Sequence, residues 1–206
     1  VLFVTKEIIM PPKPKVTKLN ILEAAFQLTR EQGLESVNAR DVAAVLGCST
    51  QPIFRLYASM AELKEDLHEY IQDYYYQFLL ASKKSKHFFF NVGLAYIDFA
   101  KQETNLYQAI FMSNNFKVTN LREFIADRRN KPILTRMTET IGIDLEKAKQ
   151  LFLNMWIYTH GIASMLATNS LDLTNEEIED MLSIAFWSFL KSAQEGVTHC
   201  EHPDTI

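Results

Sequence analysis

This 206-residue chain is poor in cysteine, glycine and proline, with two, six and six of them. Cys48 and Cys200 are too few and too far apart for a disulfide framework, and the sparing use of thiols fits a reduced, cytoplasmic setting. So little Gly and Pro disfavours a turn-rich β protein. No apolar run reaches the roughly 18 to 20 residues that cross a bilayer, so no membrane partner is expected. Residues 1–10, VLFVTKEIIM, begin apolar but are too short for a secretory signal and carry Lys6 and Glu7. An excess of positive charge is also missing. Lys and Arg total 21 against 25 Asp and Glu, a net −4, so any nucleic-acid footprint has to be local.

Catalytic signatures are absent too. There is no Gly-rich phosphate loop, G-x-S-x-G, HExxH or paired Cys motif. Glu65-x-x-His68 has the spacing of one helix of a di-iron bundle, but no other histidine has Glu three residues before it, so the match is read as chance. His199, Cys200 and His202 lie close together without a fourth ligand, in a stretch expected to fray. The expectation is a protein that is not an enzyme, with no metal site and no cofactor.

What is present is apolar and helical. Hydrophobic residues make up 48%, far above the disordered range, and the chain is long enough to bury a core. The most informative stretch is Val37 to Leu63, VNARDVAAVLGCSTQPIFRLYASMAEL. Asn38 is a good N-cap, answered by Asp41 as in a capping box. Val42, Ala43, Val45 and Leu46 supply an apolar face, and Gly47 ends the helix in a left-handed turn. Ser49 is expected to cap the next helix, with Pro52 in its first turn and Ile53, Leu56 and Tyr57 facing inward. Ser59 and Glu62 form a capping box for a third helix. Helix, Gly turn, helix is the helix-turn-helix layout, whose second helix enters a DNA major groove. Cys48 packs in this setting as a small hydrophobe.

Downstream, apolar residues at spacings of three and four predict a long fourth helix over about Met60 to Ser82, broken by the KKSK run at Lys83 to Lys86. A fifth follows over about Phe88 to Lys101 and a sixth over about Leu106 to Met112. A seventh, capped by Thr119, is kinked or split by Pro132 and ends at Gly142. Asp144 caps an eighth to about Thr168, and a Thr174–Glu177 capping box opens a ninth to about Gln194. The chain is therefore read as all-α, with about nine helices. Its last two helices are unusually apolar, and in the ninth the apolar set exceeds one stripe, as for a helix buried on more than one side.

The segment Thr17 to about Leu67 closely resembles the DNA-binding domain of TetR-family transcriptional regulators. ILEAAFQLTREQGLESV resembles the family's first helix. LGCSTQPIFRLYASMAEL follows its pattern of Gly, a small residue, Ser, then a short recognition helix ending aromatic, basic, any residue, aromatic, here Phe54, Arg55, Leu56 and Tyr57. Trp156 to Ala163, WIYTHGIA, is similar to a later motif in one branch of the family. The sequence departs from the family where Phe54, Gln51 and Met60 stand in place of its frequent Tyr, Gly and Lys.

The resemblance implies an arm (1–16), a helix-turn-helix DNA-binding domain (17–62), a helical ligand-binding and dimerisation domain (63–195) and a tail (196–206). It implies a homodimeric repressor that leaves a palindromic double-stranded DNA operator when a small-molecule effector binds. The DNA contacts are then expected from Lys18, Asn38, Arg40, Ser49, Thr50, Gln51, Pro52, Phe54, Arg55, Tyr57 and Lys64. Gln51 suits adenine and Arg55 guanine or phosphate, with an acidic neighbour as the alternative partner of Arg55. Lys18 and Lys64 are the expected phosphate clamps. Tyr74, Phe78, Phe99, Phe124, Trp156 and His160 are the candidate effector residues. With no Arg or carboxylate standing out as counter-ion, they favour a neutral, apolar ligand. Gly161, Phe186, Trp187 and Phe189 are the candidate dimerisation residues. The second reading is a helical small-molecule or partner-binding protein with weak or lost DNA binding.

Overall fold

A computed structural model describes residues 16–81, 88–113 and 120–195. Among them are ten α-helices and two 3-10 turns, with no strand. The KKSK break, the Thr119 cap and the His199–Cys200–His202 group lie outside the described residues. No helix among the described residues is long and apolar enough to cross a membrane.

The head comprises α1 (Lys18–Gln32), α2 (Ala39–Val45) and α3 (Gln51–Leu56). Thr17 and Asn20 cap α1 reciprocally, and Gly33, at φ +86°, ends it. On α2 the Asn38 side chain accepts from the Arg40 and Asp41 N–H groups. At its end Gly47 takes φ +61°, while the Gly47 and Cys48 N–H groups bond back to Ala44 and Ala43. That pattern is a Schellman stop, which only glycine forms without a Cβ penalty. Two expectations need correcting. Thr50, not Ser49, precedes α3, and no side chain caps it. Val45 is exposed, leaving Val42 and Ala43 as the buried face of α2.

The body begins with α4 (Met60–Ala81), opened by Ser59 and Glu62, and continues through α5 (Phe88–Gln102) and α6 (Thr104–Phe111). The predicted seventh helix is split. Asn120 caps α7 (Leu121–Ala126), Asp127 caps a 3-10 turn (Arg128–Asn130), and α8 (Lys131–Ile141) follows with Pro132 in its first turn. Proline lacks the N–H that a continuous helix would need there. The helix count is therefore ten rather than nine. Asp144 caps α9 (Leu145–Ala167), and the Thr174–Glu177 box opens α10 (Asn175–Glu195). α5 packs on α4, α9 and α10, while α6 lies between α1 and α9. One continuous core runs from Ile21 and Ile53 in the head, through Leu63, Leu67 and Ile71, to Leu151 and Leu182.

Candidate functional site

Helix α3 is held by its inner side. Ile53 and Tyr57 are 0% and 1% exposed, while Gln51, Phe54 and Arg55 project from the opposite face. These three stand at i, i+3 and i+4, so one surface presents them together. Ser49 is exposed beside them, and Thr50 and Pro52 are partly covered. Arg55, Arg40 and Lys64 form no ion pair among the described residues, so the acidic neighbour considered for Arg55 is not found. Asn38 is occupied as a cap, and its amide also donates to Asp41 and to the Ser36 carbonyl.

Two of the expected DNA contacts are engaged within the chain. The Tyr57 ring lies in the core of the head. Lys18 sits with Nζ 4.4 Å from that ring's centroid, 3.6 Å from Glu62 and 3.7 Å from Asp66. α1 packing on α4 brings the lysine over two carboxylates, so a phosphate approaching there meets no net positive charge. The Tyr57 hydroxyl is buried without a hydrogen-bond partner among the described residues. Burial, with Asp66 and Glu62 near, raises its pKa well above the usual phenol value. Removing a buried unsatisfied hydroxyl relieves a desolvation penalty. Tyr57→Phe should therefore stabilise the protein by about 1 kcal/mol, seen as a higher urea midpoint with unchanged helical circular dichroism; a lower midpoint would show that the hydroxyl is satisfied after all.

An ion pair with a buried carboxylate joins head to body. Arg30 of α1 donates from Nε to Glu103 Oε2 at 2.8 Å and from Nη2 to Oε1, and Tyr74 of α4 adds a hydrogen bond to Oε1 at 3.1 Å. Glu103 is 6% exposed. Its hydrogen bonds and charge raise the pKa of Arg30. The Asn105 amide also donates to the Arg30 carbonyl at 3.0 Å.

Within the body a small cavity lies between α4, α5, α7, α8 and α9. Phe124 and Trp156 line it as expected, their rings 4.2 Å apart. His160 stands behind Trp156, stacked at 5.2 Å, and its Nδ1 lies 2.8 Å from the Tyr96 hydroxyl and 3.1 Å from that of Tyr107. Burial lowers the pKa of His160. Tyr74, Phe78 and Phe99 do not reach the cavity. Tyr74 packs on Phe26 and bonds Glu103, Phe99 is wholly buried between α4 and α5, and Phe78 packs edge-on against Phe99. Sequence reasoning missed Tyr75, Tyr76, Gly93, Tyr96, Asn130 and Thr159, which also line it. A glycine inside an otherwise apolar helix was the available signal. Among the described residues no charged side chain lines the cavity.

The cavity wall is tied to α4. Arg129, 10% exposed, bonds Glu69 and Asp73 of α4 as well as Asp127. Burial alone would lower its pKa, but these carboxylates outweigh it and hold it raised. Next to it Asn130 accepts from the Tyr76 hydroxyl at 2.9 Å and donates to the Phe124 carbonyl at 2.8 Å.

Several large apolar side chains of α9 and α10 are exposed. Ile184, Trp187, Ile157 and Met165 are 69%, 63%, 50% and 41% exposed. At Gly161 an added Cβ would meet nothing within 4 Å. Phe186 instead lies against Phe89, and Phe189 against Tyr158, half-buried.

Residues 89–186 match a family model described as the tetracyclin repressor-like C-terminal domain. The HTH-type transcriptional repressor DrrR1 of Streptomyces coeruleorubidus is 36% identical over 61 residues, which span 30% of this chain and 23% of that protein. The aligned stretch thus covers about a quarter of this curated relative. Among solved structures, a protein of unknown function from Rhodococcus sp. RHA1 superposes with TM-score 0.65 at 17% identity, covering 89% of this chain and 98% of that one. A TetR family transcription regulator from Marinobacter aquaeolei VT8 gives TM-score 0.55 at 14% identity, with 83% and 94% covered.

Proposed function

Starting from a chain that belongs to the TetR family of transcriptional regulators, we propose a homodimeric repressor. It leaves a palindromic operator when a small, mainly apolar effector enters the body. The observation that carries the reading is the outward face of α3. Gln51, Phe54 and Arg55 project together from a helix anchored by Ile53 and Tyr57, and Arg55 has no ion-pair partner among the described residues. A rigid helix with free polar ends is what major-groove reading needs. Arg40 and Lys64 supply phosphate contacts, with Lys18 contributing little. The exposed apolar face of α9 and α10 is the dimer interface, and the aromatic cavity is the effector site. The protein acts by binding, not catalysis.

The second reading, a helical binding protein with weak or lost DNA binding, draws on Phe54, Met60 and the neutralised Lys18, which thin the phosphate grip. A footprint on DNA flanking the protein's own gene separates the two. The repressor reading expects a protected palindrome whose half-sites lie about 34–36 Å apart. It also expects Gln51→Ala to relax specificity at one base-pair position by about 1–3 kcal/mol. Binding that is equal on all sequences would leave only the second reading.

A further inference from the structure

We propose that Gly93 and Thr159 form the polar end of the body cavity. Together they accept the hydrogen-bonding group of a neutral, flat aromatic molecule whose ring lies among the aromatic walls. This rests on reading the cavity as the effector site.

Thr159 is 3% exposed and lines the cavity, and its hydroxyl has no hydrogen-bond partner among the described residues. Although the residue is buried, the hydroxyl oxygen itself keeps a little surface open to the cavity, and a polar group facing a cavity without a protein partner is open to a water or a guest. Most other polar groups in the lining have one. Asn130 is held by Tyr76 and the Phe124 carbonyl, and Tyr96 by His160. The Tyr75 hydroxyl is the second one without a partner there, with Tyr75 4% exposed.

Gly93 decides between the two hydroxyls. It sits inside the regular helix α5, with no positive φ, where alanine favours the helix. A Cβ there would meet Leu182 Cδ1 at 3.5 Å and Thr159 Oγ1 at 3.8 Å, both ordinary contacts. Alanine would therefore fit. Glycine gives up helix stability and leaves open space beside the one threonine hydroxyl that lacks a partner. That combination points to a guest group at this spot.

The rest of the lining sets the ligand class. An ionised guest would lose its hydration with no counter-ion among the described residues, none of whose charged side chains faces the cavity. Aromatic walls such as Phe124, Phe152 and Trp156 favour a flat ring held edge-on or offset. The space that admits the centre of a water-sized sphere is about 40 Å³. That holds a few waters, whereas a dry cavity that takes benzene is about 150 Å³. The guest therefore displaces a wall. α7, which carries Phe124, has six residues and none of them is buried, so it offers the least resistance.

The test is calorimetric titration of the full chain with p-cresol, p-xylene and p-toluate, three probes of closely similar ring and differing polar group. Expected is p-cresol binding about tenfold more tightly than p-xylene, the worth of one good hydrogen bond, with p-toluate weakest. Thr159→Val should bring p-cresol down to p-xylene and leave p-xylene unchanged. Gly93→Ala should weaken both while raising thermal stability. Tyr75→Phe should keep the preference for p-cresol. If Thr159→Val retains that preference, if Tyr75→Phe abolishes it, if p-toluate binds as well as p-cresol, or if no probe binds, the inference is overturned. A separate reading is whether bound p-cresol shifts the operator footprint. Tight binding without release would overturn the effector role and leave the ligand class standing.

Discussion

On the proposed homodimer, Ile184→Glu should give a folded monomer and lower operator affinity by about 100-fold or more, because the second head then no longer binds as part of one molecule. Ile184 is the most exposed of the large apolar side chains on α10, with Trp187 one turn away. Ile157 and Met165 of α9 are also exposed, and so many large exposed apolar side chains on the last two helices are of the kind that marks an interface. A carboxylate at Ile184 stands in water in the monomer and disturbs no internal packing, but it loses hydration in the dimer. Light scattering and circular dichroism separate this from a folding defect. The mass should halve and the helical signal should stay. Phe189→Glu differs, since Phe189 already packs on Tyr158, and its helical signal should fall as well. A wild-type monomer at micromolar concentration that binds a palindrome without cooperativity would remove the dimeric mechanism.

Arg30→Ala should lower stability by about 2 kcal/mol, at the low end for breaking a buried pair because Arg30 is itself half exposed. The loss comes from the other side of the bond. Glu103 stays 94% buried and keeps only the Tyr74 hydroxyl. Arg30→Lys should fall between, since an ammonium cannot make the two-pronged contact. Adding Glu103→Gln to Arg30→Ala should recover part of the loss, because no charge is then left unpaired. Urea denaturation of the four proteins checks this. Equal midpoints for wild type and Arg30→Ala would mean that the pair contributes nothing.

Local signals were legible in the sequence, and tertiary ones were not. The caps at Asn38, Asp144 and Thr174, the Gly47 stop and the break at Pro132 depend on residues within a turn of each other, and each is where the residue types put it. The failures concern which side of an element meets what. Tyr74, Phe78 and Phe99 share aromatic spacing with Tyr75 and Tyr76, and only the docking of α5 and α9 decides which rings reach the cavity. Lys18 looks free in sequence because Glu62 and Asp66 lie more than forty residues away. Tyr57 was read both as inward-packing and as a DNA contact, and the inward reading prevailed since its spacing from Ile53 matches the buried face. For the interface, Phe189 is more hydrophobic than its surroundings require but turns inward, while Ile184 turns outward.

The Arg129 contacts have a mechanical consequence. Arg129 and Asn130 hold the cavity wall to Glu69, Asp73 and Tyr76, so a guest that pushes on Phe124 pulls on α4 near its middle. From Tyr76 to Met60 the helix extends sixteen residues, about 24 Å at 1.5 Å per residue. For the effector-released homodimer proposed above, α4 would serve as a lever arm: a tilt of about 5° at Tyr76 would carry the Met60 end, and the head fixed to it, through about 2 Å. Two such arms moving in opposite directions would change the spacing between recognition helices by up to twice that, with no need for either head to refold.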